Sequence, residues 1–347
     1  MSNNAMDLLV AEIRTIMETA RASLSREINT TMLDTYWQVG RIIVEREQNG
    51  ELKAQYGAKL LTELSKRLSK ELGRGYSRSN LYNMRELYMQ YPIFQTPSGK
   101  LTWSHYLELL SIKDKDARSF YEQECVNAKW SVDELKRQIG TSLFERLLLS
   151  DGKANKEKVL ALSIEGVSMS RPEDMLKEPY VFEFLGIPEN KPMLEKELEA
   201  KLIRHIEDFL LELGRGFMFV GSQQRVTIGN NHYYVDMVFY NKILKAYVLI
   251  DLKKGDLRIE HAGQMNAYLN YYKTEVNDEG DNPPVGIILC KTSKDVVAEY
   301  ALGGLSNQVF ASSYVYYIPD KEILVGEVKA LLEREDKESE VKTDDGK

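Results

Sequence analysis

The chain has 347 residues, 43% hydrophobic and 29% charged, with a formal net charge of −7. That length suits two domains, and the apolar content supports a sizeable core and excludes wholesale disorder. An acidic chain is not a general polyanion binder, so any nucleic-acid contact must come from a local basic patch.

Residues 6 to 147 read as almost entirely helical. Leu9, Ile13, Ile16, Ala20, Leu24 and Ile28 recur every three or four residues, the spacing of one helix face. A second helix carries Tyr36, Trp37, Gly40, Ile43 and Val44. A third runs from about 57 to 72 on a stripe of Leu60, Leu61, Leu64 and Leu68, and Gly73 and Gly75 stop it. Ser77 or Ser79 then caps a new helix. Helix, glycine turn, helix is the outline of a helix-turn-helix. Residues 51 to 90 hold eight Lys/Arg and four Asp/Glu, a local net of +4, with Arg74, Arg78, Asn80, Asn83 and Arg85 at the start of the second helix. These five are candidate nucleic-acid contacts, although most two-helix corners never touch DNA and an ordinary solvated face is the competing reading. His105, beside Trp103, reads as a hydrogen-bonded structural group.

Residues 151 to 192 read as a linker region, polar from Ser150 to Lys158 and broken again at GIPENKP. The second half changes character. A helix over about 194 to 213 precedes the strand-like runs FMFVG, RVTIG, HYYVDMVFY and AYVLID. A helix over about 262 to 273, a strand VGIILC, a short helix near 295 to 301 and a strand SSYVYYI follow. The pattern is a mixed α/β sandwich. The last fifteen residues, 333 to 347, hold seven acids and four bases and read as an acidic, disordered tail. Cys125 and Cys290 are too few for a CxxC-type zinc site and read as free thiols in a reducing compartment. No apolar run approaches the ~18 residues that span a bilayer, and MSNNAMDLLV lacks a signal-peptide pattern. A cytoplasmic location and no membrane partner are expected.

HYYVDMVFY and AYVLIDLKK suit neighbouring antiparallel strands. If their connection is symmetric, Tyr240 faces Tyr247, and counting outward sets Asp236 opposite Asp251. Lys253 shares the face of Asp251 because side chains alternate. A β-bulge would shift the register by one and move one acid to the other face. Facing carboxylates repel, and either a bound cation or ordinary salt bridges would relieve them. Mg²⁺ favours carboxylates plus water and phosphate oxygens. The competing salt bridges are Asp251 with Lys253 or Lys254, and Asp236 with Arg225. Spacing alone leaves both readings open.

Longer blocks carry a resemblance. ELEAKLIRHIEDFLLELGRGFMFVGSQQRV, YYVDMVFYN, IDLKKG, GQMNAYLNYY and NPPVGIILC, from Glu197 to Cys290, resemble the nuclease domain of the YhcG-type family, bacterial members of the PD-(D/E)XK superfamily. YWQVGRIIVE, RGYSRSNLYNMRELY, LTWSHYLELL and FYEQECVNAKWSVDELKRQI resemble the same family's helical, winged-helix-like domain. The resemblance implies an α+β, two-domain chain: a helical, winged-helix-like half over 1–150 that binds DNA or a partner, and a restriction-endonuclease-like PD-(D/E)XK half over 193–332. It also implies Asp236 and Asp251 as the motif acids, Lys253 as the motif lysine, Glu199 as an extra acid at the metal and Gln264 as a glutamine near it. Asp251 stands where relatives commonly have Glu, which draws the carboxylate back by one methylene. His261, in EHAGQ, is a neighbour of the site. The expected activity is Mg²⁺-dependent hydrolysis of DNA, with Mn²⁺ as a substitute ion, in processing foreign or recombining DNA beside a restriction system or other protein subunits. RNA substrates and a homo-oligomer are compatible with the sequence. The alternative is a catalytically inactive nuclease fold acting as a nucleic-acid-binding or scaffold subunit, against which the joint presence of Asp236, Asp251 and Lys253 speaks.

Overall fold

The computed structural model of the chain describes residues 3–48, 57–94, 100–150, 155–188, 193–291 and 308–344. It forms two compact units, Met1–Lys136 and Arg137–Lys347.

The first unit is helical: α1 (Asn3–Gln48), α2 (Gly57–Leu72), α3 (Arg78–Gln90), α4 (Trp103–Leu109), α5 (Lys115–Ala128) and the start of α6 (Val132–Gly140). The two helices expected before residue 48 are one. No glycine or proline interrupts the polar stretch between them, and the hydroxyls of Thr30 and Thr35 bond to carbonyls four residues back. The leading stripe of α1 is exposed, Ile16 by 67%. Further along, Gly40 admits the backbone of α3, since a Cβ there would lie 2.0 Å from the Met84 carbonyl oxygen. The core of this corner is Ile43, Leu61, Leu81 and Met84. Gly73 and Gly75, at φ 85° and 114°, end α2 as expected, and Ser77 caps α3 by accepting from the Asn80 amide. The helix-turn-helix outline is therefore present. Among the described residues this unit contains no strand, so the expected wing is not among them.

The second unit holds a six-stranded mixed sheet in the order β1-β6-β5-β4-β3-β2. Its strands are β1 (Tyr180–Val181), β2 (Phe217–Ile228), β3 (Asn231–Asn241), β4 (Ala246–Leu252), β5 (Val285–Cys290) and β6 (Val309–Val315). β2, β3 and β4 pair antiparallel; β4, β5, β6 and β1 pair parallel. One face carries Met237, Phe239, Val248, Ile250 and Leu252 against Leu198, Leu202 and Phe209 of α9 (Glu195–Arg204) and α10 (Ile206–Leu213). The other carries Val238, Leu249 and Ile288 against Met265, Tyr268 and Leu269 of α11 (Ile259–Tyr271). Burial on both faces explains the nearly continuous apolar runs of β4 and β5.

Four expectations are corrected. FMFVG and RVTIG form the single strand β2, with a register shift between Phe219 and Gly221. The helix expected over 194–213 is broken at His205, whose φ of −108° and ψ of 40° are not helical. After α7 (Leu143–Leu149), the described part of the linker 151–192, residues 155–188, is structured: α8 spans Lys156–Glu165 and β1 extends the sheet by pairing with β6. Charge fixes this segment in place. The fully buried Arg146 lies 2.5 Å from Glu212, which also accepts from Arg137 and from the Val181 amide. Burial alone would raise the Glu212 carboxyl, but Arg146, Lys177 and Arg137 hold it down at about 2. Fourth, the helix Lys321–Asp344 runs into the expected acidic tail, whose residues 345–347 lie outside the described residues. The short helix expected near 295–301 lies outside the described residues. Cys125 and Cys290 are buried free thiols.

Candidate active site

Tyr240 pairs with Tyr247, as the symmetric connection requires, and the ladder runs outward to Met237 opposite Ile250. The next pair in that register is Asp236 and Asp251, where the paired ladder stops. Strands that separate free a backbone donor, and a carboxylate takes it: Oδ2 of Asp236 accepts from the Leu252 amide at 2.8 Å. The two carboxyls are close enough for Asp236 to bear on the charge of Asp251. Asp251 is 2% exposed. Burial drives its carboxyl up, Lys253 opposes the rise, Asp236 adds to it, and the outcome is about 7.

Lys253 leaves the end of β4 with its Nζ 2.6 Å from Oδ2 of Asp251. The contact is an ion pair with off-line geometry, so that buried oxygen has no aligned hydrogen-bond donor. Desolvation would lower the lysine, but Asp251 holds it above its ordinary value and keeps it an ammonium. Its backbone is pinned, its amide donating to the Leu289 carbonyl at 2.8 Å and its carbonyl accepting from the Tyr314 hydroxyl at 3.2 Å. The next residue, Lys254, donates its amide to Glu195 at 2.8 Å. Of the two salt bridges weighed from sequence, Asp251 with Lys253 forms. Asp236 bonds to Leu252 and Gln223 instead of Arg225.

Glu199 comes from α9. It is buried and raised, first by burial and then by Asp236. It reaches Asp236 through an intermediary: Nε2 of Gln223 lies 2.8 Å from Glu199 Oε2 and 3.2 Å from Asp236 Oδ1. Gln223 sits in β2 at a φ of 49°, a left-handed conformation uncommon outside glycine. Gln264 donates to the Tyr268 hydroxyl at 2.6 Å, and that hydroxyl donates to the Tyr234 carbonyl. Tyr268 feels the charges of Asp251, Lys253 and Asp236. Gln264 thus touches the site's surroundings through Tyr268. His261 lies near Lys253, and its Nδ1 accepts from the Arg258 amide at the start of α11.

Glu195, Gln223 and Tyr268 were missed in the sequence. Tyr268 follows Gln264 by one helical turn, a spacing that puts both on one face and could have flagged it. Gln223 gives no periodic signal, because its position depends on the irregular backbone of β2.

Among the described residues, no three Asp, Glu, His or Cys side chains converge as a ready-made metal cluster. Mg²⁺ does not require one, since one or two carboxylates with water and phosphate oxygens suffice. Two neighbouring carboxyls, one of them buried, fit a hard divalent cation.

In the helical unit, Arg74 and Arg78 are exposed and Asn83 is half-buried. Two of the five candidate contacts also have partners within the helical unit. Asn80 accepts from the Trp103 indole at 2.9 Å and donates to the Gly75 carbonyl. Arg85 is held 2.9 Å from both Glu47 and Glu86. The ring of His105 is fixed by Thr102 and the Trp130 carbonyl, as expected of a structural histidine.

Residues 173–329 match the model of the YhcG PDDEXK nuclease domain, and residues 12–146 match the DUF1016 N-terminal domain. A protein of Escherichia coli (strain K12) named "Putative nuclease YhcG" is 39% identical over 92% of this chain and 93% of its own length. The chain belongs to the YhcG family. In this YhcG-family chain the nuclease domain model spans the sheet with Asp236, Asp251 and Lys253, and the DUF1016 match covers the helical unit. Likenesses to solved structures are slight. A repair endonuclease from Pyrococcus abyssi shares 18% identity over 38% of this chain and 50% of its own, with a TM-score of 0.25. An EndoMS–dsDNA2 complex shares 13% over 39% and 51%, with a TM-score of 0.26. Resemblances this small carry no weight for fold or function. Among the described residues, no helix is long and apolar enough to cross a membrane.

Proposed function

We propose that this YhcG-family nuclease hydrolyses phosphodiester bonds in DNA with Mg²⁺ held by Asp236 and Asp251, and that Mn²⁺ substitutes. The observation that carries the reading is that these two carboxyls come level where the β3–β4 ladder ends, Asp251 buried and the Lys253 ammonium 2.6 Å from it. A bound Mg²⁺ would supply an acidified water and a counter-charge for the scissile phosphate. Lys253, pinned by its backbone and already protonated, serves as an electrostatic donor to the phosphate and orients the attacking water; it is no general base in this state. Asp251 cannot keep its proton and ligate at once, so loading the site ionises it. Tyr268 and Gln264 border the site from α11. Processing of foreign or recombining DNA is part of the proposal on the family resemblance alone.

Incubation of labelled DNA and RNA substrates, single-stranded, duplex and branched, with Mg²⁺ and with EDTA tests the reading. Wild type and Asp251→Ala are run together. DNA cleavage by wild type in Mg²⁺ alone is the expected result. Cleavage of RNA alone would change the substrate. Wild type that cuts nothing would favour the scaffold function.

The helical unit is proposed to contact DNA phosphates through Arg74 and Arg78. Reversal of both to Glu should weaken binding and reduce the salt dependence of log affinity by about 2, near 0.9 for each phosphate no longer neutralised. Arg85→Gln, at a residue already engaged by two acids, should leave that slope unchanged. An unaltered slope in the double reversal would remove this helix from the interface.

A further inference from the structure

Gln223 has no place in the two-acid reading of the site, yet it is the residue that joins Glu199 to Asp236. Its backbone adopts a left-handed conformation that costs energy for a residue with a side chain, and the side chain ends between two carboxylates. Its single amide nitrogen donates to both, at 2.8 Å to Glu199 and 3.2 Å to Asp236. The other oxygen of Asp236 is fixed by the Leu252 amide. Asp236 is therefore held at both oxygens, once by the sheet and once by Gln223. Glu199 is buried at 7% exposure and connects to the acid pair through this amide.

We propose that Gln223 is a positioning residue through which Glu199 acts on the site: Glu199 anchors the carboxamide, and the carboxamide sets the orientation of Asp236. The inference rests on the reading of Asp236 as a cation ligand. It changes the part given to Glu199, from a ligand at the metal to the anchor of a residue that aims one. A neutral donor between two acids also lets them stand close before any cation arrives, which a third carboxylate at this place would prevent. Partners that orient a ligand are worth about 10–100-fold in metal affinity.

Three variants test this by calorimetric titration of metal-stripped protein with Mn²⁺, with thermal unfolding in EDTA as a check on the fold. Gln223→Gly removes the side chain and suits the left-handed backbone, so the strand is kept. It changes no charge, and its effect on affinity is therefore not a loss of Coulomb attraction. The expected result is Mn²⁺ binding about 10–100-fold weaker than wild type. Glu199→Ala should also weaken binding, and the double variant should bind about as well as Gln223→Gly alone, since without Gln223 there is nothing left for Glu199 to anchor. Unchanged or tighter binding by Gln223→Gly would overturn the proposal, as would losses that simply add in the double variant, the behaviour of a Glu199 that ligates directly. Wild type that takes up no Mn²⁺ would instead remove the cation site itself. Gln223→Ala gives the same comparison if the glycine variant does not fold.

Discussion

Asp251→Asn is expected to abolish Mg²⁺ binding and cleavage while making the metal-free protein more stable. The two effects have one cause. Burial raises the Asp251 carboxyl from 3.8 to about 7, with Lys253 pulling it down and Asp236 pushing it up. A carboxyl raised by folding favours the folded state in its protonated form. Stability is therefore full below the unfolded value and falls as pH climbs through the folded one. Above pH 7 the folded protein carries the whole cost of an ionised, buried, like-charged pair. By linkage that cost is about 4 kcal/mol at most, and asparagine, isosteric and neutral, does not incur it. The gain is smaller because Lys253 loses its partner, so about 2–4 kcal/mol is expected at pH 8 in EDTA. Urea unfolding at pH 5 and pH 8 measures it. The two proteins should differ much less at pH 5, where wild-type Asp251 is protonated in the folded state. Equal stability at both pH values would show that the acid pair is not under electrostatic strain.

Lys253→Ala should separate chemistry from binding. An ammonium has donors and no lone pair, so it cannot ligate a cation. Its removal deletes a positioned charge where the transition state builds negative charge. Single preorganised donors of this kind are worth about 2.7–4 kcal/mol, or roughly 10²–10³ in rate. Single-turnover cleavage should fall by that factor, while Mn²⁺ affinity at pH 8 stays within a few-fold of wild type. Loss of cation binding in equal measure would make Lys253 a structural counter-ion. Lys253→Arg should recover little, because a guanidinium spreads its charge and does not reproduce a compact ammonium 2.6 Å from Asp251.

Much of this site is legible in the sequence. The loop between β3 and β4 is symmetric, so counting from Tyr240 and Tyr247 brings Asp236 level with Asp251 and Lys253 beside it, and the register of the strands agrees. Alternation carries that information along regular strands. It fails where the backbone is irregular. The left-handed residue at Gln223 and the register shift before Gly221 have no pattern of two or 3.6 residues, and the link from Gln223 to Glu199 spans 24 positions. The partners of the basic corner are illegible for a related reason. Its charge is counted correctly, but Arg85 is engaged by Glu47, 38 residues away, and Asn80 by Trp103. Local composition reports charge and not its tertiary partner. The supposed linker misleads through its polar character, since β1 is only two residues long and is recruited by β6 from far along the chain.

Calorimetric titration of metal-stripped protein with Mg²⁺ and Mn²⁺, for wild type and Asp251→Asn, tests the central claim most directly when paired with cleavage of the same samples. Wild type should take up cation at one site or a closely coupled pair, release a proton on doing so near pH 7, and cut DNA only when loaded. Asp251→Asn, folded and more stable in EDTA, should bind no cation in that range and cut nothing. Equal cation binding by the two proteins, or cleavage by wild type undiminished in EDTA, would contradict a cation site built on Asp236 and Asp251.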